Sequence, residues 1–150
     1  MDNTRKISFY TEKLLWKLAR SRLPGAETLT FEVCDEPVRN SLMKYTVLPP
    51  VIVFWDNEKL WTFVNGQQLM SLHDGNIYHI DLDSINKKIK TSFSAKSKDG
   101  AKFHFNHLFL GKDEVMIWAP EGNVIFALMN ILQMFPLNVK NDCSRLETEH

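Results

Sequence analysis

Turn dipeptides divide the middle of this chain into short pieces. Asn65-Gly66, Asp74-Gly75, Asp99-Gly100 and Gly111-Lys112 each stand between two β-prone runs, and Asp56-Asn57 marks a fifth break. Asn-Gly and Asp-Gly accept the positive φ angles of tight hairpins, so neighbouring runs should be antiparallel partners. The expected strands are Thr28–Cys34, Thr46–Trp55 (interrupted by Pro49-Pro50), Lys59–Val64, Gln68–His73, Asn76–Leu82, Ile85–Phe93, Ala101–Leu110 and Glu114–Trp118. Alternation is clearest at Lys102 to Asn106, where Phe103 and Phe105 share one face. The pattern is a β-meander.

Two segments have helical spacing instead. From Ser8 to Leu23, Tyr10, Leu14 and Leu18 fall on one stripe with Leu15 beside it, and Pro24-Gly25 ends the run. Its other face is basic, with Arg5, Lys6, Lys13, Lys17, Arg20 and Arg22 against Asp2 and Glu12. From Pro120 to Phe135, Val124, Leu128, Ile131, Leu132 and Phe135 form an apolar stripe suited to covering the mouth of a bent sheet, and Pro136 stops it. The remainder, 137–150, reads as a polar tail. The expected organisation is an N-terminal amphipathic helix and linker over 1–27, a β domain with its closing helix over 28–136, and that tail.

With 150 residues, 44% hydrophobic, the chain fits one domain with a buried core, and its modest Gly and Pro content excludes collagen-like or low-complexity structure. Lys+Arg and Asp+Glu both number 18, so no net field draws the whole molecule to nucleic acid or an anionic bilayer; targeting by charge needs a local patch. Cys34 and Cys143 stand far apart with no CxxC, which points to a reducing compartment. No apolar run is long enough to span a membrane and none resembles a signal peptide. The expectation is a cytoplasmic protein, peripheral at the inner membrane face if its basic patch docks there.

The order of elements, several short antiparallel strands followed by one amphipathic helix, resembles the pleckstrin-homology-like superfold, especially its bacterial and GRAM-type members. Carrying the resemblance are Leu60-Trp61-Thr62-Phe63-Val64, then Gln67-Gln68 leading into Leu69-Met70-Ser71-Leu72, the step Ile80, Leu82, Ile85, and the helix from Pro120 to Phe135. The resemblance implies an α+β fold, mainly antiparallel β: a strongly bent sheet or partly open barrel capped by the C-terminal helix. It also implies binding or assembly rather than catalysis.

Catalytic signatures are absent: no GxSxG, HExxH, P-loop or GxGxxG occurs. No catalytic residue, cofactor or metal is therefore assigned. His104 and His107 imitate a metal pair, but on a strand positions three apart face opposite ways; only a cross-strand register bringing in His73, His79 or Asp81 would complete a site. Asp81 and Asp83 are expected to share a solvated strand face.

The strongest local signal is charge. Between Asn86 and Lys112, Lys87, Lys88, Lys90, Lys96, Lys98, Lys102 and Lys112 face Asp99 alone, whereas residues 26–85 hold nine acids and three bases. Lys87, Lys88, Lys90, Lys96 and Lys98 are the candidate site for an anionic ligand, a membrane headgroup in the first place, since each lysine near an anionic surface contributes roughly 1 kcal/mol. Nucleic acid is disfavoured: the patch has no arginines and few flanking aromatics for stacking. Trp118, Met70 and Met129 are the candidate groove for a protein or peptide partner, and a homo-oligomer is compatible with the pattern. The contrary reading is a small enzyme with an internal cavity built from His79, Asp81 and His104. Cys34 and the large aromatics, Phe126 included, are expected in the core.

Overall fold

The computed structural model describes residues 3–21, 23, 25–91, 107–120 and 122–137. Helix α1 (Asn3–Arg20) leads through two 3-10 turns, Ala26–Leu29 and Phe31–Val33, to helix α2 (Glu36–Leu42). Strands β1 (Ile52–Asn57), β2 (Leu60–Val64), β3 (Gln68–His73) and β4 (Asn76–Asp81) follow, then the short helix α3 (Leu82–Ile85). Strands β5 (Ile89–Thr91), β6 (His107–Leu110) and β7 (Val115–Trp118) precede helix α4 (Asn123–Leu132). The fold is α+β and mainly antiparallel, with β1-β2-β3-β4 in one sheet and β5-β6-β7 in a second; among the described residues the two do not close into one barrel.

Turn chemistry decides the first sheet. Asp74 and Gly75 both take positive φ, 52° and 77°, as a two-residue hairpin requires, and β3 and β4 pair in unbroken register from Gln68↔Asp81 to His73↔Asn76. Asn65-Gly66 works differently. Gly66 has no positive φ; the Asn65 side-chain oxygen accepts the Gln67 and Gln68 N–H groups at 2.9 Å each, and Gly66 lies against the backbone of α1.

Strands β1 and β2 of the first sheet are buried on both faces, which explains why Val51 to Trp55 is apolar without alternation, whereas β4 exposes Ile77, His79 and Asp81 on its outer face. One face carries Ile52, Phe54, Val64, Leu69 and Ile80 into the main core, where they meet Leu14 and Leu18 of α1 and Ile125, Leu128 and Leu132 of α4. The opposite face carries Val53, Trp61 and Phe63 into a smaller core closed by Leu42 of α2. The Tyr10 hydroxyl and the Lys6 ammonium both donate to the Asp83 carboxylate, and the Leu137 N–H donates to Tyr10 Oη at 3.3 Å.

Among the described residues, side chains rather than a shared strand join the sheets. Residues 116 and 118 project their backbone groups from the same edge of β7. Trp118 N–H donates to Ser71 Oγ at 3.0 Å; Ser71 Oγ lies 2.7 Å from Thr62 Oγ1, which donates to the Trp118 carbonyl. The peptide groups of Trp118 and two hydroxyls thus close a ring. His73 Nε2 meets the Met116 carbonyl at 3.0 Å. Thr62, Ser71 and His73, all buried, satisfy an edge that would otherwise be left dry and unpaired.

Several expectations are corrected. Thr28–Cys34 forms 3-10 turns with one bridge, Thr30↔Ile52, not a strand, and Cys34 is half-buried at its end. The strand expected from Thr46 begins at Ile52, past Pro49-Pro50, which cannot supply the ladder N–H groups. Ile85 closes α3, and β5 starts at Ile89. Asp83 is not on a solvated strand face but on α3, bonded to α1. Phe126 is exposed on α4 rather than core. The helices run Asn3–Arg20 and Asn123–Leu132, against the expected Ser8–Leu23 and Pro120–Phe135. His104, Phe103, Phe105, Lys96, Lys98, Lys102, Asp99-Gly100 and the tail beyond Leu137 lie outside the described residues.

Candidate functional site

The turn after α3 starts the basic surface. Asn86 and Lys87 both adopt positive φ, 48° and 60°, and the Lys87 N–H donates to the Phe135 carbonyl at 3.1 Å. The chain reverses here, exposing Lys87 and Lys88 before β5 begins. Across β5 and β6 the Gly111 N–H donates to the Lys88 carbonyl at 2.8 Å, which brings Lys112 to the same end of the second sheet. Lys87, Lys88, Lys90 and Lys112 line one depression of about 360 Å³ with Ile89 and Phe109 in its wall. Lys90 Nζ is 2.6 Å from Glu114 Oε1, so one of the four charges is balanced locally. Three of the five lysines expected at an anionic site are thus together, joined by Lys112; the other two, Lys96 and Lys98, lie outside the described residues.

Trp118, Met70 and Met129 do not form one groove. Trp118 is buried in the main core, Met129 packs against that core from α4, and Met70 packs against the smaller core on the opposite face of the first sheet. The exposed apolar surface lies elsewhere. Leu15, Val33, Met43, Tyr45 and Val47 are all exposed, Val47 at 96%, and Leu15, Phe31, Leu48, Pro49, Pro50 and Val51 line a depression of about 350 Å³.

Sequence reasoning passed over Trp16. It is exposed on α1, with Arg20 4.6 Å and Lys13 5.0 Å from its ring. The spacing that produces this, cations three residues before and four after an aromatic, was visible in the chain.

A second polar constellation sits where the sheets meet. His73 is 1% exposed and stacks on Tyr78, with ring centroids 4.5 Å apart and planes 13° from parallel. Its Nδ1 is 3.3 Å from Asp74 Oδ2, and the His107 ring stands edge-on at 5.2 Å. Burial, with His73 nearby, pushes the His107 pKa below the usual imidazole range, against a smaller opposing effect of Asp74. Burial likewise raises the Cys34 thiol, which argues against a ready thiolate nucleophile there. His79 and Asp81, named for an enzyme reading, both line an open depression beside Asp83 and Lys112, while His104 is outside the described residues.

No family model, curated protein or solved structure matches this chain. No helix among the described residues is long and apolar enough to cross a membrane.

Proposed function

We propose that this chain is a non-enzymatic binding module of the pleckstrin-homology-like type that docks on an anionic, phosphorylated surface. One observation carries the reading: among the described residues, Lys87, Lys88, Lys90 and Lys112 line a single depression with Glu114 as its one acid. Seven antiparallel strands among the described residues, followed by a packed amphipathic helix, support the fold assignment. An apolar wall of Ile89 and Phe109 beneath several ammonium groups suits a headgroup, whose phosphates meet the lysines while its neighbouring glycerol and acyl carbons meet the wall. The basic face of α1, with Trp16 between Lys13 and Arg20, offers a second contact with the same chemistry.

Co-sedimentation with phosphatidylcholine vesicles, with and without phosphatidylserine, tests this. The chain should pellet with the anionic vesicles at low salt and be released at high salt, and Lys87→Glu/Lys88→Glu/Lys112→Glu should lose the pelleting. Failure to pellet at low salt overturns the reading. A protein partner is then favoured by the exposed apolar surface around Leu15, Val33 and Val47, and its binding would be largely insensitive to salt.

A further inference from the structure

The Met116 carbonyl can only accept a hydrogen bond, so His73 Nε2, 3.0 Å away, carries the proton. In neutral His73 the Nδ1 lone pair therefore points toward the Asp74 carboxylate at 3.3 Å, acceptor against acceptor. A metal ion between its members would relieve that opposition. The His107 ring borders the same space: the donor atoms of His73, Asp74 and His107 all lie within 4.8 Å of one another.

We propose that His73, Asp74 and His107 form a binding site for a divalent transition-metal ion, Zn²⁺ in the first place. Two imidazoles and one carboxylate are the donor set of borderline ions, and three protein ligands leave a position for water or an incoming ligand. The spacing agrees. Zinc bonds near 2.0–2.1 Å in a tetrahedron put neighbouring donors about 3.3 Å apart, the separation seen between His73 Nδ1 and Asp74 Oδ2. The His107 ring is half-buried, with a donor atom within 4.8 Å of the other two.

The supporting groups are in place. The bond from Nε2 to the Met116 carbonyl fixes the tautomer that presents Nδ1, and stacking on Tyr78 fixes the ring plane. The hairpin holds Asp74 at φ 52°, setting its carboxylate beside His73, while 77% exposure of the Asp74 side chain leaves a route for the ion. The site uses none of the lysines above and stands or falls separately from vesicle binding.

The test is titration of the chelator-stripped full chain with Co²⁺, read by visible d–d absorption, and with Zn²⁺, read by the thermal midpoint. One ion per chain, a visible spectrum that Zn²⁺ displaces and a raised midpoint are expected. Asp74→Asn and His107→Gln should each weaken binding at least about 10-fold, while His79→Gln, exposed on β4, should not. Asparagine tolerates the left-handed backbone at position 74, so that variant keeps the turn. No spectrum and no shift, or affinity that survives both Asp74→Asn and His107→Gln, overturns the site. His73 and Asp74 would then be a plain pair of neighbouring polar side chains.

Discussion

A Cβ added at Gly66 would stand 2.4 Å from the Ile7 carbonyl oxygen and 2.4 Å from Thr11 Oγ1. The first of these is helix backbone, which cannot step aside without moving α1. Gly66→Ala should therefore lower the urea-unfolding free energy by about 1–3 kcal/mol, as overpacking does. Ser71→Ala acts through a missing partner instead: it leaves the Trp118 N–H buried and unbonded, and should cost about 1–3 kcal/mol in the same measurement. Tyr10 adds a pH dependence. Burial first, then its hydrogen bond to Asp83, raise the phenol well above its ordinary pKa. The folded chain thus keeps a proton that the unfolded chain releases above about pH 10, so stability is full below that value and falls as pH rises beyond it. Urea midpoints compared at about pH 8 and pH 11 should fall more steeply for the native chain than for Tyr10→Phe.

At the scale of elements, α1 is part of the core. Leu14 is fully buried between the first sheet and α4, so Leu14→Ala should cost about 2–5 kcal/mol in chemical denaturation. The same helix illustrates what the chain made legible. Its 3.6-residue stripe of Tyr10, Leu14 and Leu18 was readable because it repeats over several turns, and β3 matched to the residue because Asp74-Gly75 fixes one end. Helix α2 was not readable: Glu36–Leu42 buries only Leu42, too little for a period to emerge. Thr28–Cys34 has β-branched and aromatic residues but folds as 3-10 turns with Leu29 against the main core and Phe31 and Cys34 against the smaller one, tertiary contact overriding local preference. Among site residues, the lysines were legible as a charge run. The meeting of His73 with His107 was not, because it depends on how one sheet lies across the other, and no spacing along a single strand encodes that.

At the scale of the whole molecule, one core draws Leu14 from α1, Ile52 to Ile80 from the first sheet, Leu108 to Ile117 from the second and Ile125 to Leu132 from α4. Among the described residues the sheets share no strand yet share that interior, so neither can lose its packing alone. Far-ultraviolet circular dichroism and tryptophan fluorescence should report a single coincident unfolding transition; two separated midpoints would show the sheets to be independent. The ring of Trp118, Ser71 and Thr62 has one further consequence, in the time domain. Amide hydrogens on the outer side of an edge strand normally trade with deuterium from solvent quickly. The Trp118 amide is instead held inside the joint between the sheets, and its release requires the two to part. It should rank among the slowest-exchanging amides in the chain, a clock set by global opening rather than by fraying at an edge.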